Sequence, residues 1–268
     1  MDRATILQKL ISHYKALLND TSCQFAGLAG GQGIGKSYLS HQLKAQFGED
    51  LLVLSLDDFY LTKAAREELA VQVHPMLATR GVPGTHDLDL LRHLIDRLMK
   101  GEMGDGIALP HFIKAHDDRA AKADWQLVTQ APKLILLEGW CVGAQPQTES
   151  ALATPVNALE ESKDEAGQWR AYVNAQLHAH YLPIWQRMAH ICYLKPLSFS
   201  QIFDWRWQQE IGNLAEIGQA PQDDDRERIA VFIQHYERIT RQMMAQQTAF
   251  DMVIEVSGAE RAWQLIKG

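Results

Sequence analysis

Only three cysteines, Cys23, Cys141 and Cys192, occur in the 268 residues, and no two of them form a C-x-x-C pair. An odd, scattered set excludes both a disulfide framework and a zinc knuckle, and it reads as reduced thiols in a cytoplasmic protein. Eleven histidines are present, but none lies in H-E-x-x-H, and His178 and His180 stand two apart where a helix would turn them to different faces. A zinc site is therefore rejected. Positive charge is also short: 26 Lys and Arg against 33 Asp and Glu leave a formal charge of −7, which disfavours a nucleic-acid or anionic-membrane surface. No apolar run approaches a membrane span, and the first residues carry Asp2, Arg3 and Lys9 instead of a signal-peptide core. Internal repeats and low-complexity tracts are missing too. These absences leave a soluble cytoplasmic chain with a small-molecule partner, of unknown oligomeric state.

Glycine, by contrast, is concentrated where it carries chemistry. Residues 27–38 read Gly-Leu-Ala-Gly-Gly-Gln-Gly-Ile-Gly-Lys-Ser-Tyr, and Gly30, Gly35, Lys36 and Ser37 satisfy G-x-x-x-x-G-K-[ST]. Glycines let the backbone turn its N–H groups inward at the mouth of a helix, a nest for phosphate. The candidate nucleotide-binding set is Gly30, Gly31, Gln32, Gly33, Ile34, Gly35, Lys36, Ser37 and Tyr38. Lys36 reaches the β and γ phosphates, and the Ser37 hydroxyl ligates Mg²⁺. An apolar run at 25–29 precedes the loop, and Leu39, Leu43 and Phe47 follow at helical spacing. Strand, loop and helix make the nucleotide reading much stronger than a chance glycine turn.

Further apolar, strand-like runs at 51–56, 134–137, 191–194 and 252–256 alternate with helical patterns at 36–47, 88–100, 169–185, 200–215, 226–247 and 259–266. Leu7, Leu10, Ile11, Tyr14, Leu17 and Leu18 predict an opening amphipathic helix. The expectation is one α/β domain of the P-loop NTPase fold, with five parallel strands between helical layers and excursions at about 101–126 and 144–167. Asp223, Asp224 and Asp225 read as the start of the 226–247 helix in preference to a metal cluster.

The second strand ends in Ser55-Leu56-Asp57-Asp58-Phe59-Tyr60. If it lies beside the phosphate-loop strand, its carboxylates face the nucleotide, where phosphoryl transfer needs a group to align a hydroxyl and take its proton. Asp57 is the first choice for that base and a second contact for Mg²⁺; Asp58 is the alternative, and Tyr60 stands beside them. Glu138 closes the apolar run 134–137 and is the candidate carboxylate of the Mg²⁺ shell. Arg80-Gly-Val-Pro-Gly-Thr85-His86-Asp87 combines turn formers with polar side chains, and Asp87 alone reads as a helix N-cap. Lys114 and Arg119 supply cations for an anionic substrate. Arg206 suits either a lid arginine stabilising the transferred charge or a helix-surface partner of Glu210, four residues on.

Taken together, these motifs resemble the D-glycerate 3-kinase family, within the wider group of P-loop kinases that includes uridine kinase, pantothenate kinase and phosphoribulokinase. The resemblance spans nearly the whole chain. It rests on residues 27–37, 55–62 and 80–87, on Glu138-Gly-Trp-Cys-Val-Gly143, Asn157-Ala-Leu-Glu160, Trp169-Arg-Ala-Tyr-Val-Asn174 and Trp205-Arg-Trp-Gln-Gln-Glu210. It implies ATP as donor with Mg²⁺, Asp57 as base, a substrate region drawing on Arg80, Thr85, His86 and Asp87, and glycerate as the leading hydroxyl acceptor. A nucleoside- or pantothenate-type kinase on the same scaffold, and a nucleotide switch without an acceptor, are the competing expectations. One segment departs from the pattern. Where the family runs Pro-x-Tyr-Asp-Lys-Ser, this chain has Pro110-His-Phe112-Ile113-Lys114-Ala115.

Overall fold

In the computed structural model, which describes residues 1–216, 218–222 and 224–268, helices and strands alternate along the chain. The first half comprises α1 (Arg3–Asn19), β1 (Phe25–Gly30), α2 (Lys36–Phe47), β2 (Leu51–Ser55), α3 (Lys63–Gln72) and α4 (Leu88–Lys100). Four short strands follow, β3 (Ile107–Leu109), β4 (Phe112–Ile113), β5 (Asp118–Arg119) and β6 (Gln126–Val128), and then β7 (Leu134–Gly139). Next come α5 (Glu149–Leu152), α6 (Ala158–Lys163), α7 (Gln168–Gln176), α8 (Leu182–Trp185), β8 (His190–Pro196), α9 (Phe199–Glu216), α10 (Asp225–Ala245), β9 (Met252–Ser257) and β10 (Ala262–Lys267).

The central sheet has the order β10-β9-β8-β1-β7-β2. Five of its strands run parallel, and only the β9–β10 pair is antiparallel. Parallel strands covered on both faces must be apolar throughout, and Leu134, Ile135, Leu136 and Leu137 of β7 are all buried. Their side chains alternate: Ile135 and Leu137 join one core with Leu91 and Ile95 of α4, while Leu134 and Leu136 join another with Leu39 and Leu43 of α2. Emptying any one of these sites costs about 2–5 kcal/mol.

Two expectations need correction. The run 259–266 is no helix. Gly258 at φ 70° and Arg261 at φ 51° close a turn, with Arg261 N–H donating to Gly258 O, and β10 pairs back on β9. Helix-forming residue types lose here because pairing satisfies the open hydrogen-bonding edge of β9 and buries Trp263. Second, β2 is not the neighbour of the phosphate-loop strand; β7 lies between them and pairs with both. Asp57 therefore approaches from one strand further out.

The helix expected at 169–185 is broken by a π turn at Leu177–Tyr181. At the start of α10, Asp224 makes no side-chain cap, and Asp225 accepts the Gln222 N–H at 2.7 Å; Asp223 lies outside the described residues. The excursion at 101–126 folds into two small antiparallel pairs, β3–β6 and β4–β5. That at 144–167 is pinned by buried ion pairs: Arg238 grips Glu160 at 2.7 and 2.5 Å, and Arg170 meets Asp164 at 3.0 Å. Among the described residues no helix is long and apolar enough to cross a membrane.

Candidate active site

β1 delivers the chain into the glycine loop, and α2 starts directly after it. Gly35 occupies the N-cap position without a side-chain cap, so the first-turn amides have no capping acceptor and form the donor cluster an anion needs. Gly33 has φ 68°, and a Cβ there would meet the Trp205 backbone at 2.9 Å. Glycine is demanded twice at that position, by conformation and by the close approach of α9. The Lys36 ammonium donates to Gly30 O at 2.8 Å and Gly31 O at 3.2 Å, and Arg261 Nε donates to Gly33 O at 2.6 Å. Gln32 Oε1 is buried without a hydrogen-bond partner among the described residues. Ile34 is core, and Tyr38 is part-exposed with the Arg3 guanidinium 4.3 Å above its ring.

On the α2 side of the sheet, Ser55 Oγ donates to Glu138 Oε1 at 3.0 Å. Oε2 of the same carboxylate is buried and has no partner among the described residues. Burial pushes the Glu138 carboxyl up, and the Lys36 ammonium draws it back. An orphaned carboxylate oxygen near a loop serine is the donor chemistry a hard divalent cation takes, so the residues present fit Mg²⁺. A cavity of about 520 Å³ opens on Ser37 and Glu138 and runs past Ser40, His41 and Lys44; Asp57 does not line it.

Asp57 and Asp58 sit on a short 3-10 turn, Leu56–Phe59, that continues β2. Asp57 Oδ1 accepts the Tyr60 hydroxyl at 2.7 Å and Oδ2 accepts Lys114 Nζ at 2.8 Å. Burial pushes its carboxyl up, but Lys114, the Tyr60 hydroxyl and the Lys36 ammonium outweigh it and hold it at about 2. The influence of Lys36 ties the turn to the phosphate loop. Asp58 points elsewhere. Its Oδ1 accepts Phe112 N–H at 3.0 Å and faces His111 Nδ1 at 3.1 Å, so it anchors the β4–β5 hairpin.

That hairpin also pairs with the 80–87 strap and with α3. Arg119 pairs with Asp87 at 3.1 Å and donates to Tyr60 O at 2.8 Å; Asp117 meets Arg80 and, at 3.0 Å, Arg66. Asp87 also caps α4 through Leu90 N–H, so the N-cap reading holds, while the Arg119 pairing uses its other oxygen. Thr85 does not join the site: fully buried, its hydroxyl donates to Val82 O at 2.7 Å and accepts from Gly81 N–H at 3.0 Å. Its one proton is committed to Val82 O, and the side chain has no exposed surface for a ligand to reach. His86 is buried against Tyr60, ring centroids 4.7 Å apart, and burial drives its imidazole down to about 3.

Arg206 makes an ion pair with Glu210 at 2.8 Å whose angle is too poor for a hydrogen bond, and it follows the Trp205 that packs on Gly33. Its charge also reaches Tyr236, which burial and Asp57 push up and Arg80 and Arg206 draw back. One tyrosine thus feels Asp57, Arg80 and Arg206 together.

Sequence reasoning missed Tyr236, which donates to Arg80 O at 2.9 Å, and Arg66, Asp117, Tyr181 and Arg261. It also took the Trp of Glu138-Gly-Trp as family signature only; Trp140 Nε1 donates to Gly81 O at 2.8 Å and fixes the Arg80–Asp87 strap. Of these, Asp117 carried one local signal, the polar His116-Asp117-Asp118 between two short apolar stretches, which marks a hairpin tip.

No family model matches the chain. An uncharacterized kinase, mug58, of Schizosaccharomyces pombe is 30% identical over 220 residues, covering 78% of this chain and 77% of that protein. The chloroplastic D-glycerate 3-kinase of Arabidopsis thaliana is 29% identical over 221 residues, covering 78% of this chain and 45% of the plant protein. The solved D-glycerate 3-kinase of Cryptococcus neoformans superposes with a TM-score of 0.76 at 22% identity over 97% of each chain, a likeness of fold. With the glycine loop, the parallel sheet and these relatives in place, the chain belongs to the D-glycerate 3-kinase family of P-loop kinases.

Proposed function

We propose that this kinase transfers the γ-phosphoryl group of ATP to a hydroxyl of D-glycerate in the cytoplasm, where its three buried free thiols stay reduced. The observation that carries the reading is the placement of Asp57 between two sets of cations: Lys36 on the nucleotide side, and Lys114 on the hairpin with Arg80 and Arg119 nearby. In this reading the loop amides and Lys36 hold the phosphates while Asp57 aligns the hydroxyl and receives its proton as the new O–P bond forms and ADP leaves. A carboxyl held at about 2 is a weak base, and a loose phosphoryl transition state asks for alignment more than for proton affinity. Ser37 and Glu138 would hold Mg²⁺, whose charge offsets that of the phosphates. In the same reading Arg206, next to the Trp205 that packs on Gly33, would add to that offset.

The acceptor follows from charge. Arginine grips a carboxylate in bidentate fashion, and glycerate is a small hydroxy acid. The departure at Phe112 does not weaken this, because its side chain is 3% exposed, packed edge-on against Tyr60 at 5.1 Å with the Arg80 guanidinium 5.4 Å from its ring. A tyrosine there would change packing, not an accessible contact. The test is ADP release by purified protein with ATP, Mg²⁺ and a panel of hydroxyl compounds. D-glycerate is expected to turn over, and uridine and pantothenate to leave the rate at its basal level. ADP release stimulated by another compound and not by glycerate would reassign the acceptor, and none stimulated by any would favour a nucleotide switch.

A further inference from the structure

Nε2 of His86 is a buried ring nitrogen with no hydrogen-bond partner among the described residues. Its opposite nitrogen is fully accounted for. Gly84 N–H donates to the Tyr181 hydroxyl at 2.9 Å, and the same hydroxyl lies 2.7 Å from His86 Nδ1. A tyrosine oxygen that already accepts a backbone N–H has one proton to give, and Nδ1 is the acceptor within reach among the described residues. If the hydroxyl gives its proton there, Nδ1 is the unprotonated nitrogen. Burial keeps the imidazole neutral, and that arrangement leaves its single proton to Nε2.

The fold supplies the geometry for this. Tyr181 ends the π turn that interrupts the helical run, and Pro183, two residues later, has no N–H with which to continue the regular ladder. One extra residue in a turn rotates everything after it by about 100°. Next to the imidazole lies the Tyr60 ring whose hydroxyl holds Asp57. A buried donor without an acceptor is unfavourable, and a ligand oxygen is one group that can complete it.

We propose that Tyr181 is a positioning residue that fixes His86 as its Nε2–H tautomer, so that a neutral donor meets an oxygen of the hydroxyl-bearing substrate beside Asp57. This rests on the kinase reading above for the substrate, not for the tautomer. A neutral N–H binds a hydroxyl or carboxylate oxygen without adding charge next to Asp57, and it rejects analogues with no oxygen at that point.

Nitrogen-15 spectra of histidine-labelled protein without substrate read the tautomer directly. The wild type is expected to show Nε2–H at neutral pH, and Tyr181→Phe to lose that preference. In kinetics Tyr181→Phe and His86→Leu should raise the acceptor KM about tenfold while the ATP KM stays within twofold. An Nδ1–H or charged imidazole in the wild type overturns the inference. So does a Tyr181→Phe protein that keeps the tautomer, or one that loses only thermal stability with the acceptor KM unchanged. If Tyr181→Phe does not fold, the wild-type tautomer and His86→Leu decide. The KM measurements use whichever hydroxyl compound releases ADP, so a different acceptor would sink the glycerate reading without deciding this one.

Discussion

The phosphate loop and the β4–β5 hairpin flank the same carboxylate, Asp57, yet they are built in opposite ways. The loop spans residues 30–37, and its donors are backbone amides, aimed by glycine and by the start of α2. The hairpin contributes charged side chains, each paired with a residue far away along the chain: Lys114 with Asp57 at a separation of 57 and Arg119 with Asp87 at 32. Backbone donors at fixed positions suit a polyphosphate that is the same in every cycle. Partly exposed charge pairs are each worth about 0–1 kcal/mol, so they can exchange partners when an anionic molecule enters. In the proposed reading the nucleotide side is preorganised and the acceptor side is exchangeable.

Removing the carboxylate where the two halves meet gives the largest effect. Asp57→Asn should lower kcat about a thousandfold while ATP affinity by calorimetry stays within twofold; near-normal turnover would remove Asp57 from the chemistry. Gly33→Ala attacks the loop alone. Its positive φ and the 2.9 Å approach of the Trp205 backbone should cost roughly 1–3 kcal/mol, seen as about a tenfold to hundredfold rise in the ATP KM with little change for the acceptor. A matching rise in both constants would erase the distinction between the halves.

Lys114→Met attacks the hairpin alone and should raise the acceptor KM about tenfold, leaving the ATP KM within twofold; the reverse pattern contradicts the division of labour. Smallest is the response to pH. Because the Asp57 carboxyl is depressed to about 2, its stabilising pairings are complete above the ordinary carboxylate range near 4 and are lost as pH falls toward 2. His86 stays neutral above about 3. Neither group should produce an acid limb in kcat/KM between pH 5 and 8, and in Lys114→Met the acid limb should move upward, since a depressing charge has gone. A limb near 6.5 that vanishes in His86→Leu would show a charged histidine in the cycle.

Legibility followed the same division. The loop, its strand and its helix are short-range features, and the expected helix 36–47 coincides with α2 residue for residue. Glu138 was readable because it ends a run of four buried aliphatics. Asp58 looked equivalent to Asp57 in sequence, and only the hairpin amide 54 residues away separates them. Thr85 shared a motif with His86 and Asp87, yet the turn consumes its hydroxyl, which no spacing rule announces. The 259–266 run failed for a different reason: alanine, glutamate and leucine favour a helix locally, but the unpaired edge of β9 outweighed that preference. The tyrosines at 181 and 236 sit in plain amphipathic patterns, where an aromatic on a buried face reads as packing until its hydroxyl is followed to its partner.

The Arg261 side chain on Gly33 O joins positions 228 residues apart. A ribosome releases the phosphate loop early, but a nascent chain halted before residue 261 carries every letter of that motif without the clasp on its third glycine. The cradle is therefore complete only once residue 261 has been added, and a product halted before it should bind ATP less tightly than its motif suggests.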